Sequence, residues 1–430
     1  MSEKNGRWSL LPEAGTEGGE HIASYRARGG YVGARRALAE LEPAAIVAAV
    51  ERSGLRGRGG AGFPAAKKWQ VARASEESTR YLVANAYDAD PAAPIARALL
   101  ERNPHAVVEG IIIAAYAVGA QEAFVYCRSD NALANRRLRA AIAEAEEEAF
   151  LGSGAFQGRW PLTVHTVLGW GGFSGGEETA ALEAIEGNRA MPRQKPPYPA
   201  EKGLWGRPTV VHSVETLANL PAVLQGQSGA GGKIVALGGD AAHPGLVEVP
   251  FGTPLRAVVA LGGGLAGGKG LRALQVGGPT GAVLPASLLD TPYDYDALAE
   301  IGAFVGSGSV VPLAEDACVV DYARERMAYL AGEACGKCVP CRLGTSRMAI
   351  TLEGITSNLG RESDLALLEE FAGLLDKGSL CAFGRTAATL LRSTLAHFGE
   401  DYRVHIAEKR CPTGRCQPLR TRRFERKRAI

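Results

Sequence analysis

Tyr81-Leu82-Val83-Ala84-Asn85-Ala86 reads as a buried strand: six residues, apolar but for Asn85, with no charge. The pattern downstream of it decides the fold. Helical periodicity runs near 92–102 and 104–118. Glu122 to Tyr126 reads as a second strand, Ala132 to Ala149 as a helix and Leu162 to Leu168 as a third strand. Strands alternating with helices in this way predict an α/β sheet with helices on both faces. Ligands of such sheets sit beyond the carboxyl ends of strands. Asn85, Asp88 and Asp90 lie just past one such end, and Gly169 to Glu178 (GWGGFSGGEE) just past another. Glu177 and Glu178 open a helix through Glu186. Acidic residues favour a first turn for dipole reasons alone, so the pair is read first as a helix start and only second as catalytic.

Upstream, Gly54-Leu55-Arg56-Gly57-Arg58-Gly59-Gly60-Ala61-Gly62-Phe63-Pro64 separates helical patterns at Pro43 to Arg52 and Ala65 to Ala74. A glycine loop entering a helix offers bare amides to a phosphate, and Arg58 and Lys68 add charge. A plain turn is the alternative. Downstream, Asn188 to Ala200 is basic and proline-rich, and therefore extended. It is either a surface linker or a strap over a nucleotide. From about 232 to 312, short strands (Lys233 to Ala236, Gly245 to Val249, Ala273 to Gly277) surround Gly262-Gly263-Gly264 and Gly277-Gly278-Pro279, a small β-rich domain.

Three of the 8 cysteines form Cys335-Gly336-Lys337-Cys338-Val339-Pro340-Cys341, and Cys381 follows forty residues later. A C-x2-C-x2-C run with a remote fourth cysteine suits a [4Fe–4S] cube better than zinc, which favours paired knuckles. Four helical patterns surround it: Asp321 to Ala334, Arg342 to Ser357, Asp364 to Lys377 and Arg385 to His397. Gly378 reads as the left-handed stop of the third. Together they predict a four-helix bundle with the cysteines at helix ends. His405, Cys411 and Cys416, with Cys318, have the spacing of a zinc site; free thiols beside an exposed histidine are the alternative. Cys127 falls in a strand and reads as core.

Composition bounds the rest. The chain has 430 residues, of which 55 are glycine, about twice the usual ~7%. It lacks a Gly-X-Y period, and 46% of residues are hydrophobic, so neither collagen nor disorder fits. Lys and Arg number 48 against 46 Asp and Glu, which argues against a nucleic-acid partner. The longest apolar run, Gly110 to Ala120, falls short of the ~20 residues of a membrane span, and Met1 to Asn5 lacks a signal-peptide core. A soluble, cytoplasmic protein without direct membrane insertion is expected. Arg410 to Ile430 carries eight basic residues and one acid, a solvated tail or a docking segment for an acidic partner.

Six stretches occur in the order seen in one family: GLRGRGGAGFP (54–64), GGEETAALEAIEG (175–187), PRQKPPYPAEKGLWGRPT (192–209), VETLANLP (214–221), GKCVPCRLGT (336–345) and LCAFGRT (380–386). With them the chain resembles the flavoprotein subunit of NADH dehydrogenases, the FMN-binding subunit of respiratory complex I. Relatives occur in NAD-dependent formate dehydrogenases and electron-bifurcating hydrogenases. The resemblance implies hydride transfer from NADH to FMN, then single electrons to a [4Fe–4S] cluster. It implies a Rossmann-like α/β FMN/NADH domain, a small ubiquitin-like β-grasp domain and a C-terminal four-helix bundle carrying the cluster. The corresponding divisions are an N-terminal helical segment and glycine loop (1–64), then 65–231, 232–316, 317–405 and a basic tail (406–430).

Carried over by position, Gly57, Arg58, Gly59, Gly60 and Lys68 would cradle FMN. Asn85, Gly175, Gly176, Glu177 and Glu178 would line flavin and nicotinamide. Phe63, Asp90, Lys195 and Tyr198 would hold NADH. Cys335, Cys338, Cys341 and Cys381 would ligate the cluster. Asp88, Glu177 and Glu178 are the catalytic candidates. Implied partners are a thioredoxin-like [2Fe–2S] subunit and a larger catalytic or iron–sulfur subunit, with assembly at the inner face of the membrane as one setting.

Four groups of positions depart from the family pattern. Asn-Ala-Asp-Glu-x-Glu-Pro-Gly-Thr is here Asn85-Ala86-Tyr87-Asp88-Ala89-Asp90-Pro91-Ala92-Ala93. Tyr-x-Cys-Gly-Glu-Glu is Phe173-Ser174-Gly175-Gly176-Glu177-Glu178. Asn-Asn before Val-Glu-Thr is His212-Ser213, and Lys-Trp-x-aromatic is Lys68-Trp69-Gln70-Val71. Two lost amides remove hydrogen bonds worth about 0.5–1.5 kcal/mol each, which His212 and Ser213 are expected to restore in part. The alternative function is a degenerate paralogue, an iron–sulfur relay or structural subunit with weak or no FMN or NADH binding.

Overall fold

The computed structural model describes residues 9–12, 20–226 and 231–416; the basic tail beyond Cys416 lies outside the described residues. A four-stranded parallel sheet of β1 (Tyr81–Ala86), β2 (Glu122–Arg128), β3 (Thr163–Gly169) and β4 (Thr209–Ser213) runs in the order β3-β2-β1-β4. The α/β expectation holds, and β4 is the strand the sequence reading passed over. The longest apolar run forms the helix Pro104–Val118, buried at every residue. Pro104 at its first turn and left-handed Gly119 at its end explain its limits. No helix of the described residues is long and apolar enough to cross a membrane. One carboxylate on this core helix, Glu109, accepts Tyr25 Oη (2.5 Å), the Tyr31 amide (2.8 Å) and the Ala34 amide (2.9 Å), which ties the N-terminal helices to the core.

A second, mixed sheet holds β5 (Gly232–Leu237), β6 (Gly245–Pro250), β7 (Leu271–Val276), β8 (Ala282–Pro285) and β9 (Ser309–Ala314), ordered β6-β5-β9-β7-β8. Sequence reading had only β5, β6 and β7. β9 contains Pro312, a residue that argues against a central strand. The structure resolves the conflict: β5 pairs only with Ser309 and Val310, so Pro312 lies past the end of that pairing. A buried ion pair joins the two sheets. Lys233 Nζ on β5 donates to Glu215 Oε2 (2.6 Å) and the Arg58 carbonyl (3.0 Å), while the Ile234 amide donates to Glu215 Oε1 (2.8 Å).

The C-terminal region is helical: Val319–Glu333, Val339–Thr356, Ser363–Gly378 and Ala382–Ala407. The last helix runs past the expected end at His397, through a break in helical dihedrals at Phe398 (φ −130°, ψ 27°). Gly378 is the final residue of its helix, not a left-handed stop beyond it. A Cβ there would lie 2.9 Å from Pro340 Cγ, so the glycine serves a close approach to the cysteine loop.

Candidate functional site

The glycine loop is pinned at its ends and open at its tip. The Gly57 amide donates to the Phe63 carbonyl (2.9 Å) and Arg56 Nε to the Gly62 carbonyl (2.6 Å), so Gly57 shapes the loop and its amide is already engaged. At the tip, the amides of Gly59, Gly60 and Ala61 have no acceptor among the described residues, and Gly59 and Ala61 are exposed. The helix Ala65–Ala74, which carries Lys68, begins directly after. Consecutive bare amides, a helix start and an ammonium fit a phosphate, so this cradle suits FMN. Arg58 corrects the expectation. Its side chain is buried against the second sheet, donating to the carbonyls of Gly232 (2.9 Å) and Arg56 (2.7 Å) over the Phe251 ring. Its charge supports the fold instead of facing the cradle.

Beyond β1 and β3 the carboxylates and ammoniums form one network. Lys68 Nζ donates to Glu178 Oε2 (2.8 Å) and the Val211 carbonyl (3.2 Å). Lys195 Nζ, from the proline-rich strap, donates to Glu177 Oε1 (2.8 Å) and Glu178 Oε1 (3.1 Å). Glu177 Oε2 caps its helix by accepting the amides of Thr179 (2.8 Å) and Ala180 (3.0 Å). Both readings of the pair thus apply: Glu177 starts the helix, and Glu178 sits between two cations. Burial pushes the Glu178 carboxyl up, but the charges of Lys68 and Lys195 outweigh it and hold it at about 2, below its ordinary 4.5. Its stabilising effect is therefore complete above pH 4.5 and lost as pH falls toward 2. Thermal melts of wild type and Glu178→Gln are expected to differ at neutral pH and to converge through that window. A constant gap would contradict the pairing.

Asn85 Nδ2 donates to the Gly176 carbonyl (2.9 Å), closing β1 onto the glycine turn. Tyr87 lies beneath that turn, stacked on Tyr126 at 5.1 Å and donating its hydroxyl to the Gly171 carbonyl (2.7 Å). A Cβ on Gly175 would come 2.8 Å from the Tyr87 hydroxyl, and one on Gly176 2.7 Å from Ala89 Cβ. Two departures from the family pattern are thereby linked: the tyrosine at 87 leaves no room for a cysteine at 175. Gly175→Cys alone is expected to cost about 1–3 kcal/mol by overpacking. Adding Tyr87→Asp should recover most of it, as read by thermal melting.

Three more expectations need correcting. Asp88 is not free for proton transfer: its oxygens accept the amides of Ala96 (2.8 Å) and Arg97 (2.6 Å) at the start of the helix Ile95–Arg102, and burial raises its carboxyl to about 7. Asp90 is buried at the seam with the second sheet, and its oxygens are already engaged, accepting Ser307 Oγ (2.6 Å) and the Ala92 amide (2.9 Å). His212 points into the core. Its Nε2 accepts Trp69 Nε1–H (2.7 Å), and burial lowers it to about 3, so it does not replace a flavin-facing amide. Ser213 caps the next helix through the Thr216 amide (3.3 Å) but stays beside Gly59. Phe63 and Tyr198 are exposed, as stacking residues need to be. So is Trp170, 77% exposed on the turn after β3; a lone indole in a glycine stretch was the signal that sequence reading passed over.

Three of the four expected cluster cysteines stand at helix starts, and Cys335 follows the end of the helix Val319–Glu333. Cys338 caps the helix Val339–Thr356, Cys341 is in its first turn and Cys381 caps Ala382–Ala407. Helix N-termini favour thiolates. Burial pushes Cys341 up to about 12, and the neighbouring charges of Cys338, Cys381 and Cys335 add to it. A cationic iron centre reverses that balance. A cube takes one thiolate per iron, which these four cysteines can supply. Cys127 is buried core, as expected.

Residues 50–222 match the family model described as the Nuo51 FMN-binding domain, and 321–405 match the NADH-ubiquinone oxidoreductase-F iron-sulfur binding region. The second NADH-quinone oxidoreductase F subunit of Rhizobium meliloti (strain 1021) is 39% identical over 415 residues, covering 94% of this chain and 98% of that protein. The chain belongs to the family of NADH-quinone oxidoreductase F subunits. Another relative, the NADP-reducing hydrogenase subunit HndC of Solidesulfovibrio fructosivorans, is 40% identical over 94% of this chain and 84% of its own. A crystal structure of an NAD+-reducing [NiFe]-hydrogenase in the H2-reduced state superposes with a TM-score of 0.77 at 34% identity. It covers 85% of this chain, and the chain spans 63% of that one. Like the other F subunits, this one has an FMN-binding domain and a 4Fe-4S region, and it is classed with the NADH dehydrogenases.

Proposed function

We propose that this chain takes hydride from NADH and delivers electrons to its own iron–sulfur cluster as the input subunit of a larger oxidoreductase. One observation carries the reading: the turn between β3 and Glu178 touches both halves of the reaction. On one side Glu177 and Glu178 meet Lys68 and Lys195 beside the amide cradle. On the other, the Phe173 ring lies 5.6 Å from that of Phe383, two residues after Cys381. Lys337, inside the cysteine run, donates to the Pro192 carbonyl (2.7 Å) of the strap that carries Lys195.

Bound FMN supplies the conversion of a hydride into two single electrons. The chain holds and orients. Amides of Gly59, Gly60 and Ala61 with Lys68 take the phosphate, and Gly57 holds the loop in shape. Asn85, Gly175, Gly176, Glu178 and Ser213 border the flavin. Lys195, Phe63 and Tyr198 hold the nucleotide, and Glu177 keeps Lys195 in place. We assign 65–231 to the Rossmann-like FMN/NADH domain, 232–316 to the ubiquitin-like domain and 317–405 to the cluster bundle. Partners of the proposed complex are a thioredoxin-like [2Fe–2S] subunit and a larger catalytic or iron–sulfur subunit, with the inner membrane face as one place of assembly.

The test is purification under anaerobic conditions with FMN present. A yellow protein bleached by NADH supports the reading. A brown iron–sulfur protein that retains no FMN favours the relay alternative. Lys68→Ala removes one charge-assisted hydrogen bond, worth about 1.5–3 kcal/mol, so FMN retention is expected to weaken roughly 10- to 100-fold.

A further inference from the structure

Outside the flavin and cluster sites lies one more convergent set of ligands. Among the described residues, Cys318, His405, Cys411 and Cys416 form the group whose possible ligand atoms all lie within 4.8 Å of one another. They come from three places: Cys318 caps the helix Val319–Glu333, His405 is in the last turn of Ala382–Ala407, and the two other cysteines follow on the turn after it.

Three of the separations match the edges of a zinc tetrahedron, and Cys411 lies within 4.8 Å of the other three. His405 Nε2 is 3.6 Å from Cys318 Sγ and 3.4 Å from Cys416 Sγ, and the two sulfurs are 3.5 Å apart. Zinc bonds of ~2.3 Å to sulfur and ~2.0 Å to nitrogen give tetrahedral edges of about 3.5–3.8 Å. The histidine is also oriented for the task. Its Nδ1 lies 2.7 Å from the Asp401 carbonyl, which takes the Nδ1 proton and leaves the Nε2 lone pair toward the sulfurs. Cys318 and His405 are buried, whereas Cys411 and Cys416 are half-exposed, which leaves a path for an ion. All 8 cysteines are unpaired, so no disulfide competes among the described residues.

We propose that Cys318, His405, Cys411 and Cys416 bind one zinc ion in a closed Cys3His site that fastens the turn after the last helix to the start of the first bundle helix. Four protein ligands leave no open position, so the ion is structural and takes no part in electron transfer. On binding, the three thiols release their protons to solvent and coordinate as thiolates, with no change of oxidation state. The Arg415–Asp316 ion pair holds the same turn to the loop preceding Cys318.

The test is metal analysis of the full-length chain. We expect about one zinc per chain beside the iron. Cys411→Ser with Cys416→Ser should lose the zinc, keep the flavin and the iron–sulfur absorption, and melt at a lower temperature. Should that variant fail to fold, cobalt(II) offered to wild type decides, giving thiolate-to-cobalt charge-transfer bands and tetrahedral d–d bands. The proposal is overturned by a wild-type chain that contains no zinc and develops no such bands. It is equally overturned by undiminished zinc in the folded double variant, or by a Cys318–Cys416 disulfide in the mass spectrum. Because zinc content, the cobalt bands and the mass spectrum need neither NADH nor flavin, failure of the proposed function would leave them unaffected.

Discussion

Cys341→Ala is expected to abolish the iron–sulfur absorption and the low-temperature EPR signal while NADH still bleaches the flavin. Cys341 is 5% exposed in the first turn of its helix, with Cys335, Cys338 and Cys381 as its neighbours. Its backbone is fixed from both sides. Thr345 Oγ1 donates to its carbonyl (2.8 Å), and a Cβ on Gly384 would come 3.0 Å from its own Cβ. Three thiolates leave one iron of the cube without a protein ligand. Iron content should drop, and transfer to any acceptor reached through the cluster should fall to background. Transfer to an acceptor that meets the flavin directly should persist. Cys127→Ala is the control: that thiol is buried in β2 and pushed up to about 12 by burial, so its loss should leave every spectrum unchanged. Loss of NADH bleaching in Cys341→Ala with flavin still bound would contradict the division of labour.

Lys233→Met is expected to cost about 3–5 kcal/mol, the largest effect on stability among surface-remote single changes. Lys233 is 2% exposed and Glu215 3%. Burial lowers the Lys233 ammonium from its ordinary value, and Glu215 opposes that. Removing the cation strands a buried carboxylate that still accepts the Ile234 amide, and leaves the Arg58 carbonyl short of a donor. Because Arg58 carries the glycine loop, FMN retention should fall along with the melting temperature. Replacing both partners, Glu215→Leu with Lys233→Met, should recover part of the loss, since an apolar pair avoids the desolvation cost. The recovery stays incomplete because two backbone groups remain unpaired. A single variant that melts like wild type would show the pair to be dispensable.

The parts of this molecule that follow local rules were readable from the chain. Helices Pro43–Arg52 and Ala65–Ala74 stand where periodicity puts them, and β1 to β3 follow from short apolar runs between helical patterns. The cysteine run and Cys381 stand out as a set because their spacing is visible in the sequence itself. The features that escaped reading depend on partners far along the chain. Pro312 is tolerated in β9 only because β5 ends beside it, which no local window reveals. Arg58, Asp88, Asp90 and His212 were assigned by residue type and position. Their directions were set by Gly232, the Ala96 and Arg97 amides, Ser307 and Trp69. Tyr87 and Gly175 looked like two independent losses and are one packing change.

The most direct test of the account is an anaerobic titration of the iron- and flavin-loaded chain with NADH, followed by visible absorption and low-temperature EPR together. Flavin bleaching should be followed by the signal of a reduced [4Fe–4S] cluster in the same chain, with no other subunit present. A chain that holds FMN and iron yet shows no change in either signal on adding NADH would contradict it.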